Sequence, residues 1–174
     1  LPFERPARHV REYVEVLNAA VSLGARPGGP REQAGFVEYE GETIALNSIY
    51  GMPGGQALGS VLVGAIGPMM LEATGSVSDG VIATWSDEGA IARMVAPVVR
   101  DAAARAGRAD PTIAGVIATA IVPKARAAAA RDAAQAEFGF YEQNLPYKRV
   151  VDASDAERIG DIAVIGDEEE VARR

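Results

Sequence analysis

Residues 61–84 hold the pattern that most constrains the fold. An apolar run, Val61-Leu62-Val63, leads into Gly64-Ala65-Ile66-Gly67-Pro68. A short helical stretch follows, and Asp79-Gly80 opens a second apolar run, Val81-Ile82-Ala83-Thr84. The order is strand, tight loop, helix, strand, which is the crossover that two parallel strands need. Gly64 and Gly67 put no bulky side chain on the loop, so a flat ligand can lie against bare backbone there.

The rest of the chain extends this pattern. Val10, Tyr13, Val14, Leu17, Ala20 and Val21 recur at helical spacing, which predicts an amphipathic helix from Ala7 to Leu23 ended by Gly24. Arg26–Gly35 reads as a Gly/Pro loop, Phe36–Leu46 as a hairpin turning at Glu40-Gly41, and Asn47–Gly59 as loop broken at Pro53-Gly54-Gly55. Buried strands are predicted over Ser60–Ala65, Gly80–Thr84 and Thr112–Ile121. Pro68 suits the first turn of a helix reaching Gly75. Ser86 or Asp87 can cap a helix that kinks at Pro97 and ends at Gly107. An Ala-rich helix is expected over Pro123–Ala136, continuing toward Tyr141. A helical turn over Tyr147–Ala153, a strand over Ile162–Ile165 and a helix over Glu168–Arg174 complete the reading. Strands alternating with helices imply a parallel sheet with right-handed crossovers, either open or closed into a barrel.

A length of 174 residues suits one domain with a core. The net charge of −7 argues against nucleic-acid and anionic-membrane partners. No apolar run approaches the roughly 20 residues of a membrane span, and no secretory pattern is visible. Zero cysteines exclude disulfides and thiolate metal sites, which fits a cytoplasmic location. The single histidine, His9, leaves little scope for a metal site and reads as a surface residue. The dinucleotide, P-loop and nucleophile-elbow signatures are all absent.

The string GAIGPMMLEATGSVSDGVIATW resembles the cofactor loop and following strand of the luciferase-like monooxygenase superfamily. It is most similar to the branch of oxidoreductases that use the deazaflavin coenzyme F420. ARHVREYVEVL with FVEYEGETI resembles that family's helix and hairpin before the strand. AEFGFYEQNLPYKRVV resembles its long helix, and DIAVIGDEEEVARR its C-terminal segment. The resemblance implies an α/β fold, a (β/α)8 TIM barrel of the bacterial-luciferase-like type. Residues 1–174 would form a single domain, the C-terminal part of such a barrel. The non-Met start and the stop within a helical pattern agree with a piece of a longer protein. Its open strand edges are expected to make the isolated chain aggregate or pack against a further segment.

The resemblance further implies hydride transfer between coenzyme F420 and an organic small-molecule substrate, with a homodimer expected at full length. An FMN-dependent monooxygenase of the same superfamily is the first alternative. A non-catalytic cofactor-binding homologue or inactive fragment is the second. Gly64, Ala65, Ile66 and Gly67 are implied to hold the ring through backbone amides, against the plainer reading of a tight βα turn. Thr84 and Trp85 end the next strand on the binding face of a barrel. Trp85 suits ring stacking or core packing equally. Asp79 begins that strand at the opposite end and reads as structural. Met69 and Met70 read as helix packing, Lys124 and Arg126 as a solvated helix start. Tyr147 and Lys148 fit a pocket rim or plain surface. No catalytic residue is assigned, and any proton donor is expected in the N-terminal half of the barrel.

Overall fold

The computed structural model describes residues 4–24, 35–51 and 59–174. Residues 25–34, nearly all of the expected Arg26–Gly35 loop, and the Pro53-Gly54-Gly55 breaker lie outside them. Helix α1 spans Pro6–Gly24. Its buried residues Ala20 and Leu23 pack with Val37 and Leu46 of an antiparallel hairpin, β1 (Gly35–Glu40) and β2 (Ala45–Tyr50). Tyr13 shares the apolar periodicity but is exposed. The second hairpin strand runs on to Tyr50, so Asn47–Tyr50 is strand rather than the expected loop. Cross-strand pairs as far as Gly35–Tyr50 hold it in register.

The hairpin is fastened to α1 by one carboxylate. Glu12 is only 2% exposed. It accepts the amides of Glu42 at 3.0 Å, Thr43 at 2.8 Å and Ile44 at 2.9 Å, and the Thr43 hydroxyl at 2.7 Å. A Cβ on Gly41 would lie 2.6 Å from the Glu12 carboxyl carbon, so the turn needs glycine for space. Burial pushes the Glu12 pKa up, but these hydrogen bonds outweigh it and hold the group at about 2, against an ordinary 4.5.

The parallel part starts at β3 (Leu62–Gly64). Helix α2 (Pro68–Val77) then crosses to β4 (Gly80–Thr84). A helical segment follows as α3 (Glu88–Ala90), a wide π turn over Ile91–Val95, and α4 (Ala96–Arg105). The wide turn just precedes Pro97, whose ring and missing N–H cannot fit a regular α-helical ladder. Gly107 closes α4 with φ of 68°, the left-handed conformation that glycine tolerates.

Strand order is β3-β4-β5, all parallel, with β5 at Thr112–Val116. The expected single strand Thr112–Ile121 divides: Ile117 and Ala118 separate β5 from β6 (Thr119–Ile121). The first half pairs with β4 and the second with β7 (Val164–Gly166), again parallel. The strand bends because its two halves serve two neighbours. A short 3₁₀ turn at Lys124–Arg126 leads to α5 (Ala127–Phe138), and a further turn over Gly139–Gln143 leads to α6 (Leu145–Ala153). Pro146 therefore sits in the first turn of α6, where its missing N–H costs nothing. Helix α7 (Ile159–Ile162) takes the start of the segment expected as strand, which leaves Val164–Gly166 for β7. Helix α8 (Glu168–Arg173) is capped by Asp167, which accepts the Glu170 amide.

Strand β4 is the buried centre, with Val81 and Ala83 fully covered. One core group (Ala65, Leu71, Val81, Ala83, Val95, Val99) lies between the sheet, α2 and α4. A second (Trp85, Val150, Val151, Ile159, Ile162, Ile165) lies under α5, α6 and α7. The arrangement is a partial barrel: β3 and β7 each have one strand neighbour among the described residues. Val116 is 50% and Ile121 62% exposed.

Glu12→Ala should cost roughly 1.5–3 kcal/mol, since three amides and a hydroxyl lose a charged acceptor. The readouts are a lower Tm and faster amide exchange at residues 42–44. Because folding lowers the Glu12 pKa, its contribution is complete above about pH 4.5 and is lost as pH falls toward 2. That acid-induced loss should shrink in the variant. An unchanged Tm would show that the hairpin holds itself.

Candidate functional site

The opposite ends of the sheet differ in chemistry. At the N-terminal ends, Asp79 clamps three strands. Its carboxylate accepts the Val61 amide at 2.8 Å and pairs with Arg108 at 2.9 Å. Its own amide donates to the Val61 carbonyl at 2.9 Å, and its carbonyl accepts the Thr112 amide at 2.9 Å. Gly80 follows because β5 lies against it: an added Cβ would collide with the Thr112 carbonyl.

The C-terminal ends bring Gly64, Ala65, Ile66, Gly67, Thr84 and Trp85 together, since Gly64 pairs with Ile82 in the adjacent strand. Ala65 is buried and its amide is used by the Ile82 carbonyl at 3.1 Å. Ile66 is half-buried and touches both core groups. Among the described residues, the Ile66 and Gly67 amides find no acceptor. Gly67 caps α2 with its carbonyl, which accepts the Leu71 amide at 2.8 Å. Its φ of −80° and ψ of 145° suit any residue, so its backbone does not demand glycine. A Cβ on Gly64 or Gly67 would meet nothing within 4 Å. The loop thus presents open backbone.

Thr84 is half-buried at the end of β4, and its carbonyl accepts the Ser86 hydroxyl at 3.3 Å. Trp85 carries a φ of 56°, a left-handed conformation that is costly for a side chain of this size. Its amide donates to the Val116 carbonyl at 2.8 Å, which extends the β4–β5 ladder around the bend. The ring is 6% exposed and packs on Phe138 and Tyr141, with centroids 4.8 and 6.3 Å away. Tyr141 also meets Phe140 at 4.3 Å and Tyr147 at 4.7 Å. Tyr147 is thus half-buried rather than plain surface, and burial pushes its phenol pKa up. This aromatic wall comes from residues 138–147, and no spacing in the sequence links them to Trp85.

Asp87 fulfils the capping role, accepting the Ala90 amide at 2.8 Å, and its second oxygen accepts the Asp155 amide at 3.2 Å. Met70 packs on the core, but Met69 is 74% exposed, contrary to its expected packing role: it falls on the outer face of the first turn of α2. Lys124, Arg126 and His9 are exposed. Among the described residues there is no metal-binding cluster, and no helix is long and apolar enough to cross a membrane.

These features define a class: a partial parallel α/β barrel with a glycine-opened loop at the C-terminal strand ends. The chain belongs to the luciferase-like monooxygenase family, which it matches over residues 1–174. Coenzyme F420-dependent tetrahydromethanopterin reductase from Methanopyrus kandleri is 21% identical at a TM-score of 0.61, over 97% of this chain and 53% of that one. An F420-dependent secondary alcohol dehydrogenase, solved with an F420-acetone adduct, is 16% identical at a TM-score of 0.62, over 99% of this chain and 54% of that one. These likenesses establish the fold, a luciferase-like TIM barrel of which the chain spans about half. No curated protein matches the chain.

Trp85→Ala should lower stability by about 3–5 kcal/mol, because it empties a buried aromatic site. Asp79→Ala should cost less, about 1–2 kcal/mol, through the Val61 amide it leaves unpaired. Denaturant titration of both variants checks the order. A larger loss for Asp79→Ala would mean that the N-terminal clamp, not the aromatic wall, limits folding.

Proposed function

We propose that this chain forms one wall of the cofactor site of an oxidoreductase that moves a hydride between coenzyme F420 and an organic substrate. One observation carries the reading. The loop after β3 has two amides without acceptors among the described residues, at Ile66 and Gly67, beside two glycines whose missing side chains leave open space. Neither the backbone at Gly67 nor any neighbour demands glycine there, so the opening fits a ligand that must approach the main chain. The position, at the C-terminal strand ends, is where barrel enzymes hold their ligands. The F420 dependence of both solved relatives supports the same cofactor.

In this reading the Ile66 and Gly67 amides bind the polar edge of the ring, and Gly64 lets its face lie close. Ala65 contributes through the ladder that fixes the loop, since its amide is already used. Thr84 and the Trp85 backbone form the neighbouring strand end. The Trp85 ring, held by Phe138 and Tyr141, keeps that end dry and rigid. When bound, the deazaflavin supplies a ring carbon that gives or accepts the hydride. None of the six loop and strand-end residues titrates, so they position and exclude water rather than move a proton.

Gly67→Val tests this cleanly. The substitution suits φ of −80° and ψ of 145° and meets no neighbour, so it should leave Tm within a few degrees. A branched side chain in the ring's space should weaken deazaflavin binding at least tenfold, measured by fluorescence titration. Unchanged affinity for both deazaflavin and FMN would overturn the reading. Tighter binding of FMN than of deazaflavin would transfer it to a flavin enzyme.

A further inference from the structure

The strands that carry the candidate site are uncharged. None of the residues in β3, β4, β5, β6 and β7 is titratable. Side chains alternate across a sheet. Val81, Ala83 and Ile113 pack against the helices, so Ile82, Thr84, Ala114 and Val116 face the other way. Register places Gly64 level with Ile82, and Thr84 level with Val116, so this face reaches the glycine-opened loop. On β6, Ala120 packs under the helices and Ile121 faces away from them. Val116 and Ile121 are exposed large apolar side chains, and both stand at C-terminal strand ends. In a barrel those ends border the mouth, where a ligand lies between them and the facing strands.

Charge gathers just beyond this wall. Among the described residues, every lysine and arginine is ion-paired except Lys124, Arg126 and Arg149. Arg149 lies on α6, whereas Lys124 and Arg126 belong to the turn that follows β6. The reach from Ile121 to Lys124 along the chain is roughly 10 Å. The Val122 amide donates to the Gly166 carbonyl at 2.8 Å, which fixes the strand end before the turn. The carboxylates directly after β4 and β7 are engaged as helix caps, Asp87 on the Ala90 amide and Asp167 on the Glu170 amide. Two cations without carboxylate partners therefore stand at the edge of an apolar wall, in a chain of net charge −7.

We infer that the substrate of this site is an amphipathic anion. Its apolar body lies on Val116 and Ile121, and its one acidic group, a carboxylate or phosphate, pairs with Lys124 and Arg126. The inference rests on the reading of the Gly64–Gly67 loop as the ring site, and adds the class of substrate. An apolar body suits the wall, because hydroxyls laid on it would lose water without gaining a partner. An acidic group suits the ammonium and guanidinium, which give charge-assisted hydrogen bonds. A polyhydroxylated, uncharged substrate fits neither part.

The test is calorimetric titration of the full-length protein with octanoate, octyl phosphate and 1-octanol, beside fluorescence titration with coenzyme F420. Octanol should bind at least tenfold more weakly than the better anion, and the better anion identifies the acidic group. Lys124 and Arg126 are exposed, so the double variant Lys124→Gln, Arg126→Gln should keep the wild-type Tm. It should reduce anion binding to the level of octanol and leave the octanol and F420 affinities unchanged. Raising salt should narrow the gap between anions and octanol. Equal binding of octanol and the anions, or anion binding that the double variant leaves intact, would overturn the inference while leaving the ring site standing. A double variant that loses F420 affinity alone would do the same, because the two cations would then serve the cofactor. Anion binding that depends on Lys124 and Arg126 in a protein that binds no F420 would uphold the amphipathic-anion site and overturn the cofactor reading. Binding of F420 with none of the three probes would overturn the inference alone, and no binding of any ligand would overturn both.

Discussion

The parallel ladder around β4 is the constraint on which the rest depends. Val81 and Ala83 are fully buried on one face and Ile82 and Thr84 half-buried on the other, so the β4 amides and carbonyls find their partners in β3 and β5. Gly80 and Asp79 set where that ladder begins. Gly80 admits the Thr112 carbonyl, and Asp79 ties the first residues of three strands. With the N-terminal ends in step, the C-terminal ends emerge at one level. The Gly64–Gly67 loop and the Thr84–Trp85 bend thereby become neighbours without any direct bond between their side chains.

Burial is uneven in a way that follows from the ladder's extent. Each residue of β4 from Gly80 to Ile82 has a strand on both sides, whereas among the described residues β5 and β6 each pair on one side only and show exposed residues such as Val116 and Ile121. A closed barrel would cover such positions with side chains from facing strands. The aromatic wall does the corresponding work at the top of the sheet. It holds Trp85 in a left-handed backbone conformation that would otherwise relax, and so turns the chain from β4 into the α3 cap at Asp87. Strain at the end of the central strand is thus balanced by aromatic packing from α5 and the turn after it.

The hairpin is a separate problem solved by different means. Its outer face carries exposed Phe36 and Ile49, and its inner face offers little apolar area, so packing alone holds it weakly. One buried carboxylate, Glu12, supplies the missing attachment by accepting four hydrogen bonds from the turn. The Tyr39 hydroxyl donates to Glu15 one helical turn on, and burial with that bond pushes the phenol up to about 12. The Glu12 carboxylate, whose burial is outweighed by its hydrogen bonds so that its pKa stays at about 2, lies between α1 and the hairpin, away from the loop proposed to hold a cofactor.

Alternation of apolar runs with helical spacing, and glycines at the loop after Val63, determined the parallel α/β class and the loop at its C-terminal end, because both follow from local periodicity and local steric freedom. The ends of α1 and β4 were legible to within a residue or two for the same reason. Three things were decided only in three dimensions. The division of Thr112–Ile121 depends on which strand each half meets, which no local pattern encodes. The burial of Trp85 depends on Phe138 and Tyr141, more than fifty residues away. The role of Glu12 depends on amides thirty residues later, so in sequence it was one more charge on a helix. Local chemistry fixes what each segment can be, whereas partners distant in the chain fix which charges are buried, which rings are covered and which amides are left free.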